Sequence, residues 1–66
     1  MDYIERLRKA RIAKGLRQID ASEHLGIAKS TYCMYETRKN KMDIETFAKL
    51  CRFYDTTPNE MLGFDE

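Results

Sequence analysis

The 66-residue chain has only two cysteines, one histidine and three glycines, and each scarcity removes a class of function. Cys33 and Cys51 are too few for a disulfide framework and form no CxxC pair with metal-ligand spacing, so the sequence points to a reducing compartment and to no metal site. His24 stands between Glu23 and Leu25, makes no nucleophile–base pattern with either cysteine, and reads as a solvated side chain. The glycines, at positions 15, 26 and 63, are isolated, so there is no glycine-rich phosphate loop; nor is there a clustered pair of carboxylates. An enzyme is not expected, and no cofactor or small-molecule ligand is implied. No apolar run is long enough to span a membrane. The first twelve residues, MDYIERLRKARI, alternate charged and apolar groups and lack the apolar centre of a signal peptide.

Size limits what remains. One domain of this length lies near the lower limit for folding without disulfides or metals, so its apolar side chains are needed in a single core and few are left to line a pocket. The net charge of +1 hides a polarised chain: residues 1–42 carry ten Lys/Arg and five acids, and residues 43–66 carry two and six. The first part is therefore +5 and the second −4. An anionic partner is steered toward the basic part, where TRKNKM (37–42) adds three cations and no acid.

The periodicity predicts five short helices and no strand, an all-α fold with neither repeats nor low-complexity segments. Asp2 followed by Glu5 is a capping-box-like start, after which Ile4, Leu7, Ala10 and Arg11 share a face. Gly15 ends that helix as a left-handed cap with Leu16 tucked behind it. A second helix, about 18–25, turns Ala21, Ser22 and Leu25 inward and stops at Gly26. A third runs from about 28 to 36. Asp43 caps a fourth, whose Ile44, Phe47, Ala48, Leu50, Cys51 and Tyr54 make the most apolar face in the chain. In TPNE, Thr57 is an N-cap, Pro58 suits the first helical position and Glu60 closes the box; Gly63 ends this last helix.

The third helix carries the functional signal. Residues 32 and 35, with Ile27 ahead of them, form its inward stripe, leaving Lys29, Ser30, Cys33, Met34 and Thr37 on the opposite side. A helix this short cannot stand alone, so it must be held out by packing on the second helix across the LGI turn. A helix of about 10–12 Å diameter matches a major groove about 12 Å wide, so an exposed polar helix on a basic platform is compatible in shape with groove reading, though these residues by themselves do not name DNA as the partner.

Four phrases in this order, LRKARIAKGLRQ (7–18), LGIAKSTYCMYE (25–36), IETFAKL (44–50) and TPNEML (57–62), resemble the phage-repressor/Cro (Xre-like) helix-turn-helix domain over almost the whole chain. The resemblance implies a compact five-helix bundle of the lambda-repressor-like type, a single domain over residues 1–66, and a cytoplasmic regulator of bacterial or phage origin, repressor-like in action. Its partner is double-stranded DNA with roughly palindromic half-sites. Helix two crosses the DNA backbone and helix three enters the major groove. Matched position by position, Gln18 bonds a phosphate at the start of helix two. Lys29, Ser30 and Met34 look toward base edges with Thr31 and Cys33 beside them, and Thr37, Arg38, Lys39 and Lys41 grip the backbone. Arg11 and Glu36 match a partly buried structural salt bridge.

The departures from the family pattern carry their own expectations. Arg17 replaces a threonine cap, which costs helix two about 1 kcal/mol but sets a cation beside the DNA. Ala28 likewise replaces a capping serine, and Met42 a proline. Arg38 occupies a position often taken by glycine with positive φ, so it brings strain or reshapes the loop. Met34 has no hydrogen-bond donor and is left with apolar contact to a thymine methyl, so direct readout falls to Lys29 and Ser30. The soft aromatic run Tyr32–Cys33–Met34–Tyr35 keeps open a second function, a protein-interaction module using the same face; the tyrosines themselves are expected in the core with their hydroxyls at the surface. One such domain offers about 600–1,000 Å² to DNA, so a homodimer reading half-sites about 34 Å apart is expected, paired through Phe53, Met61, Leu62 and Phe64. Cys33, placed near the groove, is a candidate for oxidation sensitivity.

Overall fold

A computed structural model describes residues 2–64; Met1, Asp65 and Glu66, the ends of the single domain read from the sequence, lie outside the described residues. Five helices follow one another, α1 (Tyr3–Ala13), α2 (Gln18–Leu25), α3 (Lys29–Glu36), α4 (Ile44–Phe53) and α5 (Pro58–Leu62), and the described residues contain no strand. The fold is the all-α, five-helix arrangement that the periodicity predicts.

Local chemistry sets the helix ends. Asp2 Oδ1 accepts the Glu5 N–H at 3.0 Å and Thr57 Oγ1 accepts the Glu60 N–H at 3.2 Å, each satisfying a donor that the first helical turn leaves open. Glu60 does not close a capping box: its carboxylate accepts the Thr56 hydroxyl at 2.9 Å. At α2 the cap position is Arg17, which offers no side-chain acceptor. The return half of the box is present, since Asp20 Oδ2 accepts the Arg17 N–H at 2.7 Å, and this offsets part of the deficit.

Two turns depend on left-handed glycine. Gly15, at φ +71°, lets Leu16 N–H reach back to Arg11 O at 3.1 Å. Gly26, also at +71°, lets Ile27 N–H reach Ser22 O at 3.0 Å. The second turn reverses the chain within three residues and lays α3 against α2.

The core gathers Ile4 and Leu7 from α1, Ala21 from α2, Tyr32 from α3, Phe47, Leu50 and Cys51 from α4, Tyr54 at its end, and Met61 from α5. Tyr3 adds an edge-to-face contact with Phe47, ring centroids 5.7 Å apart. Three expectations change. Ile44 is 81% exposed: it is the first residue of α4, and the core takes that helix only from Phe47 onward. Met61 is 8% exposed and belongs to the core, not to a pairing surface. Phe53 is half-buried under His24, their rings stacked at 4.0 Å and 5°, so His24 is a ring cover and not merely a solvated side chain. Leu62 and Phe64 do remain exposed.

Met61→Ala is therefore expected to lower the free energy of unfolding by about 2–5 kcal/mol, and Phe64→Ala to change it by no more than about 0.5 kcal/mol, as read from urea midpoints.

Candidate nucleic-acid interface

The C-terminal end of α3 is fixed by one carboxylate. Glu36 Oε2 accepts from Arg11 Nε at 2.8 Å and from the Tyr32 hydroxyl at 2.6 Å. Its Oε1 accepts from Arg11 Nη2 at 3.2 Å and from Gln18 Nε2 at 3.0 Å. Arg11 continues the chain by donating Nη1 to Leu16 O at 2.8 Å, which ties the pair to the turn that ends α1. Tyr32 and Tyr54 place their hydroxyls 2.6 Å apart in the core. Because the Tyr32 proton is committed to Glu36, Tyr54 is the donor in that contact. Against expectation, then, the Tyr32 hydroxyl does not reach the surface; a buried polar atom needs a partner, and Glu36 and Tyr54 supply two.

The protonation states follow from these contacts. Burial alone pushes the Glu36 carboxyl up, but the hydrogen bonds from Arg11, Tyr32 and Gln18 together outweigh it and hold the carboxyl below its ordinary value of 4.5. Burial raises the Tyr54 hydroxyl to about 12 and that of Tyr32 as well, so both stay protonated donors.

The outward side of α3 starts with Lys29 and Ser30, both exposed, and continues through Thr31, Cys33 and Met34, which are half-buried. Cys33 is less open than expected, and its Sγ donates to Gln18 Oε1 at 3.0 Å. After Glu36 the chain folds back: Lys39 and Asn40 N–H both bond Met34 O, at 2.9 and 3.1 Å, and Thr37 Oγ1 bonds Cys33 O at 3.1 Å. Arg38 takes φ +65°, the left-handed conformation in which a side chain costs about 1–2 kcal/mol. The loop is thus docked on the end of α3, with Thr37, Arg38, Lys39 and Lys41 exposed.

The cations on this face fall into two groups. Arg17 bonds Asp20 through Nε at 3.2 Å and Nη2 at 3.0 Å. Arg38 bonds both oxygens of Asp2, at 2.9 and 2.8 Å, and this guanidinium holds the Asp2 carboxyl at about 2. Lys29, Lys39 and Lys41 have no ion pair among the described residues. The Arg17–Asp20 pair was readable as an i,i+3 spacing on a helix. Asp2 lies 36 residues from Arg38, and no local pattern signals it. No group of three or more His, Cys, Asp or Glu capable of holding a metal occurs among the described residues, and none of their helices is long and apolar enough to cross a membrane.

Two helices packed across a glycine turn, the second presenting polar side chains beside unpaired lysines, define a helix-turn-helix domain. The chain belongs to the helix-turn-helix family of the Xre-like type, whose family model matches residues 7–61. It is similar to the uncharacterized HTH-type transcriptional regulator YobD of Bacillus subtilis, 36% identical over 97% of this chain and 57% of that protein. It is also similar to the HTH-type transcriptional regulator AnsR of the same organism, 38% identical over 91% of this chain and 52% of that protein. A third relative is the cryptic phage CTXphi transcriptional repressor RstR of Vibrio cholerae, 28% identical over 97% of this chain and 58% of that protein. The chain spans somewhat over half the length of these relatives. No solved structure matches it significantly.

Glu36→Ala leaves a buried guanidinium, a tyrosine hydroxyl and an amide without their acceptor, at about 3–5 kcal/mol. A domain of 66 residues has about 3–10 kcal/mol in all, so most of the variant is expected to be unfolded by circular dichroism at 37 °C. The depressed Glu36 carboxyl also sets a pH window. Its contribution is complete above the ordinary value of 4.5 and is lost as pH falls through the lower folded value, since the unfolded chain takes the proton first. The stability gap between wild type and Glu36→Gln is expected to narrow steadily below pH 4.5 in urea titrations.

Proposed function

We propose that the protein is a DNA-binding transcriptional regulator, repressor-like, that places α3 in the major groove of double-stranded DNA in the bacterial cytoplasm. The observation that carries this reading is the set of commitments on the α3 face. Lys29 and Ser30 stand exposed at the leading end of α3, and Lys29, together with Lys39 and Lys41 of the loop after it, has no carboxylate partner among the described residues, although the chain holds nearly equal numbers of both signs. Lys29 suits the O6 and N7 acceptors of guanine, Ser30 accepts or donates, and half-buried Met34 offers only apolar contact to a thymine methyl. Gln18, Thr37, Lys39 and Lys41 serve the phosphates. Arg17 and Arg38 are held by Asp20 and Asp2, which lowers the number of cations ready to neutralise phosphates from about four to two. The protein-interaction alternative loses support, because Tyr32 is in the core and half-buried Tyr35 packs against it, leaving little aromatic surface on this face.

Titration of duplex DNA over a salt series is expected to give a log–log slope of about −1.8 per domain, the value for two phosphate-bound lysines, Lys39 and Lys41. A slope near zero contradicts the reading. Asp2→Asn keeps an N-cap but releases Arg38, and is expected to steepen the slope by about 0.9 with tighter binding at low salt.

A homodimer on roughly palindromic half-sites completes the proposal. Leu62 and Phe64 remain from the pairing surface read in the sequence; Leu62 lines, with exposed Ile44, an apolar hollow of about 490 Å³ whose other walls are Tyr3, Met42, Phe47, Ala48 and Pro58. Leu62→Arg is expected to turn a dimer into a monomer in sedimentation velocity while leaving the helical signal intact.

A further inference from the structure

Gln18 is the first residue of α2, and its side-chain amide is held at both ends. Nε2 donates to Glu36 Oε1 at 3.0 Å, and Oε1 accepts from Cys33 Sγ at 3.0 Å. These contacts allow one orientation only. An ionised carboxylate accepts and cannot donate, so the amide nitrogen must face Glu36. The amide oxygen then faces Cys33, and a thiol carrying its proton completes the set as donor. Flipping the amide by half a turn would set oxygen against the carboxylate and give up both bonds. Nε2 has two N–H groups, one spent on Glu36; the other is the single side-chain donor that Gln18 retains for a ligand. Glu36 cannot move to follow a different amide position, since Arg11 of α1 and Tyr32 of its own helix both hold it.

We propose that Cys33 is a positioning residue: its thiol orients the Gln18 amide so that the free N–H at the start of α2 is already aimed at a DNA phosphate. This rests on the reading of Gln18 as a backbone contact. Cys33 need not touch DNA for this role. It links the helix that enters the groove to the helix that lies on the backbone, so that the register of one sets the donor of the other. A cysteine that only filled space between α2 and α3 would affect stability alone.

The test uses Cys33→Ala and Cys33→Ser, each also combined with Gln18→Ala, in the full chain. In the free protein, the side-chain amide resonances of Gln18 are expected to shift and exchange faster with water in Cys33→Ala, and to return toward wild type in Cys33→Ser, which restores a donor. On a duplex selected from a random pool, Cys33→Ala is expected to weaken binding about 3- to 10-fold, the worth of one hydrogen bond, with Cys33→Ser recovering most of it. In the Gln18→Ala background, Cys33→Ala is expected to add nothing further, the non-additivity that marks two residues acting as one. Unmoved Gln18 resonances, or an equal loss in both backgrounds in a protein that binds duplex, overturn the positioning role alone. A wild-type protein that binds no duplex at low salt overturns the reading of the interface, and the phosphate named here with it.

Discussion

A single buried anion holds the candidate face in place. The Glu36 carboxylate is surrounded by donors from three other residues, and those residues sit on α1, α2 and α3, with Tyr54 at the end of α4 supporting Tyr32 from behind. Removing a charge from water is expensive, and the arrangement is stable only because every oxygen is occupied and the cation opposite is equally enclosed. The same requirement makes the geometry exact to within a hydrogen bond, since no member can shift without leaving another unsatisfied. For a helix of eight residues, too short to be stable by itself, that constraint sets its position and its roll.

The face so positioned is electrostatically selective about its own charges. Acids are not absent near it; Asp2 and Asp20 are both there, each already engaged with an arginine and with a backbone N–H at a helix start. These exposed pairs contribute little to stability. Their effect is on availability: they tie down the two guanidiniums and leave three lysines, which are compact charges on flexible stems, facing outward. Arg38 pays for its place with a left-handed backbone that glycine would adopt freely, and the loop it belongs to is held by two amides on the Met34 carbonyl.

Much of the fold was legible because it is local. Helix starts at Asp2, Asp43 and Thr57, stops at the three glycines, and the 3.6-residue spacing of Leu7, Ala21, Leu50 and their neighbours all act within a few residues. The expectations that changed involve distance. Ile44 matched the apolar pattern of α4 but stands at the exposed start of that helix, before the core begins at Phe47, and Met61 looked surplus until α5 lay across α1. At the candidate site, the pairing of Arg11 with Glu36 came only with the family resemblance, and the Tyr32–Tyr54 hydroxyl contact, 22 residues apart, carries no periodic signal at all.

Sequence alone determined the helices, their order, the polarised charge and the family, because each is written in short-range chemistry or in a pattern of residues along the chain. Tertiary structure decided which cations stay unpaired, which way the Gln18 amide points and which apolar side chains remain outside. Those outcomes depend on which side chains meet across helices, and a buried donor or acceptor takes whatever partner the packing brings within about 3 Å.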